Sequence, residues 1–85
     1  MTVRFYSSVL ESTNGEHTYD PGPCTSLHKL VEELEDRYGK QFGELFRSGA
    51  FFFLINGKGT MLTGGLDTSL EQGDRIEVLP FVDAG

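Results

Sequence analysis

Residues 70–85 read LEQGDRIEVLPFVDAG and join a turn, a strand and a slender tail. Gly73-Asp74 is typical of a turn, and the RIEVL that follows alternates apolar and polar residues, which predicts a strand with one buried face. Pro80 has no N–H to donate to a ladder, so we expect the pairing to end there and residues 81–85 to project. Glycine permits close backbone approach, so this tail fits either insertion into a narrow channel of a partner or a frayed end.

Length and charge restrict the class of protein. The chain has 85 residues, enough for one domain with a modest core. Its net charge of −6 predicts that it binds neither nucleic acid nor anionic membranes. The acidic balance fits a basic protein partner or a surface that only maintains solubility. Because Cys24 is the single cysteine and no apolar run approaches the roughly 20 residues that span a bilayer, we expect a cytoplasmic protein.

The first half of the chain predicts two strands and a helix. Residues 2–10 alternate as in a strand, Asn14-Gly15 favours a hairpin turn, and a return strand is expected near residues 17–19. Ser26 is a good helix N-cap, and Gly39 suits the position after the helix. The apolar residues between them recur along one helical face: Leu27, Leu30, Val31, Leu34 and Tyr38.

The second half predicts the rest of a sheet. Residues 40–49 carry apolar side chains at helical spacing and suggest one loose turn. Residues 51–55 read FFFLI, which indicates a strand buried on both faces or central in a sheet, and Asn56-Gly57 predicts a tight turn before a short strand at 60–63. One helix against a mixed sheet is a two-layer α+β domain. Its predicted core comprises Phe5, Leu30, Leu34, Phe53, Ile55, Ile76 and Val78.

Candidate chemical motifs predict neither a catalytic site nor a metal site. The NGKGT at 56–60 lacks the spacing of a phosphate-binding loop and favours a turn. Neither His17 nor His28 belongs to a ligand set, since zinc needs three or four convergent ligands, and Cys24 has no evident activating base, so we expect an ordinary thiol. The helix carboxylates suggest a solvated face: Glu32, Glu33, Glu35 and Asp36.

The order of four segments resembles the ubiquitin-like β-grasp sulfur-carrier family, above all the small subunit of molybdopterin synthase, which is related to the thiamine sulfur carrier. The segments are VRFYSSVLESTNG, SLHKLVEELEDRYG, FFFLINGK and LDTSLEQGDRIEVLPFVDAG, and together they cover nearly the whole chain. The resemblance implies a ubiquitin-like β-grasp domain over residues 1–80, with a mixed sheet of about four to five strands packed on one main helix. Residues 81–85 would form an extended C-terminal tail.

The resemblance also implies a function that needs partners. In this family an ATP- and Mg-dependent enzyme adenylates the terminal glycine, here Gly85, and a sulfur donor protein then converts it to a thiocarboxylate. The large subunit of molybdopterin synthase receives the tail and uses the sulfur to build the molybdenum or tungsten cofactor. The chain itself would bind no cofactor and supply no catalytic residue. The residues that would insert are Pro80, Phe81, Val82, Asp83 and Ala84.

Two positions of the tail depart from the family pattern, and three other functions remain open. Ala84 stands where the family normally has glycine, and Phe81 replaces a usual proline, which predicts a looser and bulkier tail. The long helix and the KQFGELF that follows favour the molybdopterin branch over the thiamine carriers. The alternatives are sulfur delivery to another pathway, protein conjugation, and a β-grasp interaction module that is never activated and binds a partner through its sheet.

Overall fold

Two helices cover one face of a mixed sheet in the computed structural model, which describes residues 1–23, 25–59 and 65–81. The strands are β1 (Thr2–Phe5), β2 (Thr18–Tyr19), β3 (Phe51–Ile55), β4 (Lys58–Gly59) and β5 (Arg75–Pro80), and the helices are α1 (Leu27–Tyr38) and α2 (Lys40–Arg47). The strand order is β2-β1-β5-β3-β4. Only the β1–β5 pair is parallel among these neighbours. The α+β class and the ubiquitin-like β-grasp fold are therefore confirmed.

The first predicted strand is shorter than its alternating pattern suggests. β1 ends at Phe5, and a 3₁₀ helix follows at Ser7–Glu11. The break occurs at Ser7, whose φ of 53° lies in the left-handed region. Val9 still reaches the core and is fully buried, so a strand pattern and a helical turn bury the same side chain. The prediction of a strand through residue 10 was therefore wrong, because the alternating apolar residues fit a short strand followed by a 3₁₀ helix as well as they fit one long strand.

The connection to β2 is a longer loop than the predicted hairpin. Asn14 and Gly15 do have positive φ values of 56° and 81°, but the Gly15 N–H donates to the carbonyl of Leu10, within the turn that follows the 3₁₀ helix. β2 then pairs antiparallel with β1, with Tyr19 opposite Val3. The return strand is thus confirmed, whereas the two-residue hairpin is not.

The main helix follows its sequence pattern closely. Ser26 caps α1, its side chain accepting a hydrogen bond from the Lys29 N–H, and Gly39 ends the helix with a φ of 105°. All five residues of the predicted apolar face are buried: Leu27, Leu30, Val31, Leu34 and Tyr38. The apolar face packs on the sheet, and this burial supplies most of the stability of an amphipathic helix.

The segment after Gly39 forms a full second helix instead of one loose turn. α2 spans eight residues, and Phe42 is fully buried in the core. A Cβ at Gly43 would overlap the side chain of Glu35 on α1, its Cγ lying 2.9 Å away. Glycine therefore allows α2 to lie close against α1, and the Phe42 contact explains why the helix forms despite the low helix propensity of glycine.

The core lies between the helices and one face of the sheet. Each of the seven predicted core residues is buried, and the core also includes Val3, Val9, Phe42, Phe51 and Leu70. Rings meet edge to face across the layers, as in the pair of Phe46 and Phe53 with centroids 4.8 Å apart. This packing attaches β1 and β3, the two strands that flank β5 in the sheet, to the helices.

The turn at Asn56-Gly57 joins β3 to β4, as predicted, with φ values of 52° and 84°. The expected strand at 60–63 lies outside the described residues. In the part of the chain that is described, no helix is long and apolar enough to cross a bilayer.

Candidate functional site at the tail exit

The strand that leads to the tail is held from both sides. β5 lies between β1 and β3 in the sheet, and Val78 pairs with Phe5 on one side and Phe53 on the other. Ile76 and Val78 are fully buried, which confirms the face predicted from the RIEVL pattern. The strand that leads to the tail is therefore held in the interior of the sheet.

Pairing continues past Pro80, contrary to our expectation. Pro80 lies opposite Phe51, and the next N–H, that of Phe81, donates to the carbonyl of Ala50 at 2.8 Å. Successive amides of a strand point to opposite sides, so the Pro80 nitrogen faces the β1 side. β1 has already ended at Phe5, so the missing donor of proline removes no ladder hydrogen bond there.

Phe81 forms a backbone hydrogen bond that proline could not form, whereas the predicted loosening of the tail concerns residues 82–85, which lie outside the described residues. A proline at this position would have no N–H, whereas Phe81 forms the hydrogen bond to Ala50. Phe81 is 65% exposed, more than any other large apolar residue of the described part of the chain. Phe81 thus combines a held backbone with a ring available to a partner.

The acceptor of this hydrogen bond is itself fixed by the end of α2. The Gly49 N–H donates to the carbonyl of Phe46, and the Ala50 N–H donates to the carbonyl of Leu45. With the φ of 88° at Gly49, this pattern is a Schellman motif, in which glycine occupies the left-handed position without a Cβ penalty. The motif places Ala50 beside the end of β5.

An apolar strip runs along the sheet face that points away from the helices. Side chains alternate between faces along a strand, so Phe52, Leu54, Leu79 and Phe81 lie opposite to the buried set. We call these four residues the outer strip. Phe52 lies directly across from Leu79, and the first three members are half-buried while Phe81 is exposed. Exposed apolar surface of this kind is typical of a partner-binding site.

Polar groups border the outer strip toward the start of β5. Glu77 accepts a hydrogen bond of 3.0 Å from the Tyr6 hydroxyl, and its carboxylate lies 3.9 Å from the Arg75 Nε. Beyond them, the Asp74 carboxylate accepts from the Glu71 N–H at 2.8 Å and from the Asn56 amide at 3.0 Å. These two hydrogen bonds hold the pKa of Asp74 below its ordinary value.

The other candidate residues do not gather at the exit. His28 is exposed and lies 3.1 Å from Glu32, and His17 is exposed in the loop before β2. No group of three or more potential metal ligands occurs among the described residues. Cys24 lies outside them. Glu33 is not simply solvated, because it accepts hydrogen bonds from the Tyr19 hydroxyl and the Gly22 N–H at 2.8 and 3.0 Å.

Tyr19 belongs to a cluster that fastens β2 to the main helix. The Arg37 guanidinium lies 5.2 Å from the centre of the Tyr19 ring and forms two hydrogen bonds with Glu16. Burial, followed by the hydrogen bond to Glu33, raises the pKa of Tyr19 to about 12. These contacts give the cluster a structural role, since they hold β2 against α1.

The sequence-predicted tail is described only at its base. Pro80 and Phe81 lie at the end of β5, while Val82, Asp83, Ala84 and Gly85 fall outside the described residues. Sequence reasoning included Phe81 among the residues that would contact a partner, but it missed the other outer-strip residues, Phe52, Leu54 and Leu79. It also missed Ala50, whose role comes from its backbone carbonyl. The alternation of Phe52 and Leu54 with buried neighbours was the available signal for the strip.

Solved structures with similar folds support this description. A chain of the Amycolatopsis orientalis BexX/CysO complex is 20% identical, with 99% of this chain and 98% of that chain covered and a TM-score of 0.80. The solution structure of small archaeal modifier protein 1 from Methanosarcina acetivorans is 23% identical, with 99% and 94% covered and a TM-score of 0.75. A chain of the Helicobacter pylori complex of subunits 1 and 2 of molybdopterin-converting factor is 25% identical, with 99% and 96% covered and a TM-score of 0.66.

Sequence comparison identifies the family. A comparison with curated proteins gives no match. The model described as the ThiS family matches residues 3–85, nearly the entire chain, and the resemblance found from the sequence is thereby confirmed. The chain therefore belongs to the ThiS family of ubiquitin-like sulfur carriers.

Proposed function

We propose that this chain carries sulfur as a thiocarboxylate on Gly85 and delivers it to the large subunit of molybdopterin synthase in the cytoplasm. One observation supports the proposal most directly. β5 is fixed in the middle of the sheet, and Phe81, the residue that follows it, is held by its backbone N–H while the residue is 65% exposed. This arrangement presents the residues that follow to a partner from a rigid base.

The chemistry of a carboxylate requires an activating partner. A carboxylate is a poor electrophile, so its oxygen must first attack the α-phosphorus of ATP and release pyrophosphate, with Mg²⁺ bound in the partner. Hydrosulfide supplied by a donor protein then attacks the acyl carbon of the acyl-adenylate and displaces AMP, which leaves the thiocarboxylate and releases a proton. The described side chains at the exit, Leu79, Pro80 and Phe81, contain no acid, base or nucleophile. Catalytic groups would therefore come from the partner.

The molybdopterin branch is supported by the sequence resemblance and by the similar complex of molybdopterin-converting factor subunits. The outer strip and the tail would contact the adenylating enzyme and the large subunit in turn. A second candidate is sulfur delivery to another acceptor or conjugation to proteins, because the fold is shared with a small archaeal modifier protein and with CysO.

Intact-mass measurement tests the carrier function. The purified chain is incubated with its adenylating enzyme, ATP, Mg²⁺ and a sulfur donor. We expect its mass to increase by the difference between one sulfur and one oxygen atom. Trypsin cleaves after Arg75, and no lysine or arginine follows, so the increase should be found in the peptide 76–85. An unchanged carboxylate after incubation with the adenylating enzyme would refute the carrier function and favour the interaction module.

Deletion of Gly85 is the matched control. The variant should not gain sulfur, and its melting temperature should equal that of the wild type, because Gly85 follows the last strand of the core. The pathway is tested by adding the thiocarboxylated chain to the molybdopterin synthase large subunit and its pterin precursor. Sulfur loss from the chain with formation of the dithiolene supports the molybdopterin branch. Retained sulfur, or covalent attachment of the chain to other proteins, supports the second candidate.

A further inference from the structure

The end of α2 lies at the base of the tail although α2 is distant from β5 in sequence. Gly49 permits the Schellman motif that ends α2, and this motif places Ala50. The carbonyl of Ala50 then accepts the Phe81 N–H at 2.8 Å. A single chain of backbone hydrogen bonds therefore links the end of α2 to Phe81.

We propose that Gly49 and Ala50 are positioning residues for sulfur loading, because they fix the point from which the tail extends into a partner. This inference rests on the proposed function of Gly85. Four residues follow Phe81, and an extended chain spans at most about 3.5 Å per residue, so Gly85 can lie at most about 14 Å from Phe81. The reacting centre of a partner must lie within that distance of the site where the Phe81 ring binds.

The reach depends on the hydrogen bond between Ala50 and Phe81. When this bond opens, the tail pivots from an earlier residue, and its terminus samples a larger volume around the reacting centre. Loss of orientation lowers the rate of a reaction between held groups, and a misplacement of about 1 Å can cost as much as about 100-fold. Opening releases Phe81, but the other three residues of the outer strip stay within β3 and β5, so docking should weaken less than the chemical step.

Two glycine substitutions separate positioning from stability. Gly49 and Gly15 have similar φ values of +88° and +81°, and a Cβ at either position would meet no atom within 4 Å. Alanine at either site is therefore strained by its backbone conformation alone, and we expect comparable losses of thermal stability. Gly49 is next to Ala50, whereas Gly15 lies in the loop between β1 and β2.

The first measurement is hydrogen exchange of the Phe81 amide in the whole protein. We expect this amide to be protected in the wild type and in Gly15→Ala, and to exchange at least about tenfold faster in Gly49→Ala, because local opening exposes it. Free exchange of the Phe81 amide in the wild type would overturn the proposal without reference to any partner.

The second measurement is the rate of thiocarboxylate formation with the adenylating enzyme and sulfur donor. Gly49→Ala should lower kcat about tenfold and raise KM by a smaller factor, since positioning is lost while Phe52, Leu54 and Leu79 still dock. Gly15→Ala should match the wild type. Deletion of Val82 shortens the reach by about 3.5 Å and should lower kcat/KM at least about 100-fold.

The outcomes distinguish this inference from the proposed function. Equal loading of Gly49→Ala and Gly15→Ala would overturn the positioning role while the carrier function stands. A wild-type chain that never gains sulfur would instead overturn the proposed function, and the positioning role with it. A loaded wild type with impaired loading only in Gly49→Ala supports both.

Discussion

Asn56 joins the turn between β3 and β4 to the start of β5, and its replacement by alanine should destabilise the protein measurably. Its amide nitrogen donates to the Asp74 carboxylate at 3.0 Å, and its side-chain oxygen accepts from the Arg75 N–H at 2.9 Å. Its φ of 52° lies in the left-handed region, which asparagine tolerates better than alanine. The Asn56 side chain therefore contributes two hydrogen bonds, and asparagine also tolerates the left-handed backbone conformation at this position.

The expected cost follows from these contributions. Both hydrogen bonds are solvent-exposed, so together they contribute about 1–2 kcal/mol to the free energy of unfolding. Left-handed backbone adds about 1 kcal/mol for alanine. We expect Asn56→Ala to lower the free energy of unfolding by about 2–3 kcal/mol, a large fraction of the 5–15 kcal/mol typical of a domain.

Asn14 provides the matched control. Its φ is 56°, and its side chain forms no hydrogen bond within the described part of the chain. Asn14→Ala should therefore cost about 1 kcal/mol from backbone strain alone. Urea unfolding followed by circular dichroism measures both variants, since the chain lacks tryptophan. Equal costs for the two variants would refute the contribution of the Asn56 hydrogen bonds.

Three further perturbations test the packing and the electrostatics. Phe53→Ala empties a fully buried site and should lower the free energy of unfolding by about 3–5 kcal/mol in the same assay. Gly43→Ala should stabilise α2 by about 1 kcal/mol in a Glu35→Ala background and by less in the wild type, where the new Cβ displaces Glu35; a double-mutant cycle without coupling would contradict this contact. The pKa of Asp74 is lowered in the folded state from 3.8, so its contribution is present above that pH and is lost as the pH falls below it. Asp74→Asn should therefore show a smaller loss of stability on acidification than the wild type.

Elements with a strong period were predictable because burial imposes that period on the sequence. The face of α1 and the buried side of β5 both followed from apolar spacing, and both are buried as predicted. Ser7 shows where the same reasoning fails. A strand and a 3₁₀ turn both bring Val9 into the core, so alternation alone does not distinguish them.

Contacts between residues distant in sequence explain the features that local sequence patterns did not predict. Gly43 weakens the helical signal of residues 40–47, yet Phe42 is fully buried and Gly43 accommodates the Glu35 side chain. At the tail exit, the Ala50 carbonyl is the acceptor for Phe81. A backbone carbonyl leaves no signature in residue type, so only the three-dimensional register reveals it.

The two faces of the sheet separate stability from partner recognition. Phe53 and Phe81 are both aromatic, but Phe53 faces the helices and is fully buried, whereas Phe81 lies on the outer strip and is 65% exposed. Phe81→Ala should therefore change the free energy of unfolding by less than about 0.5 kcal/mol, as is usual for surface substitutions. It should nevertheless raise the KM for sulfur loading, because exposed aromatic anchors contribute strongly to binding. An unchanged KM together with a large loss of stability would mean that the Phe81 ring belongs to the folded core and not to the surface that binds a partner.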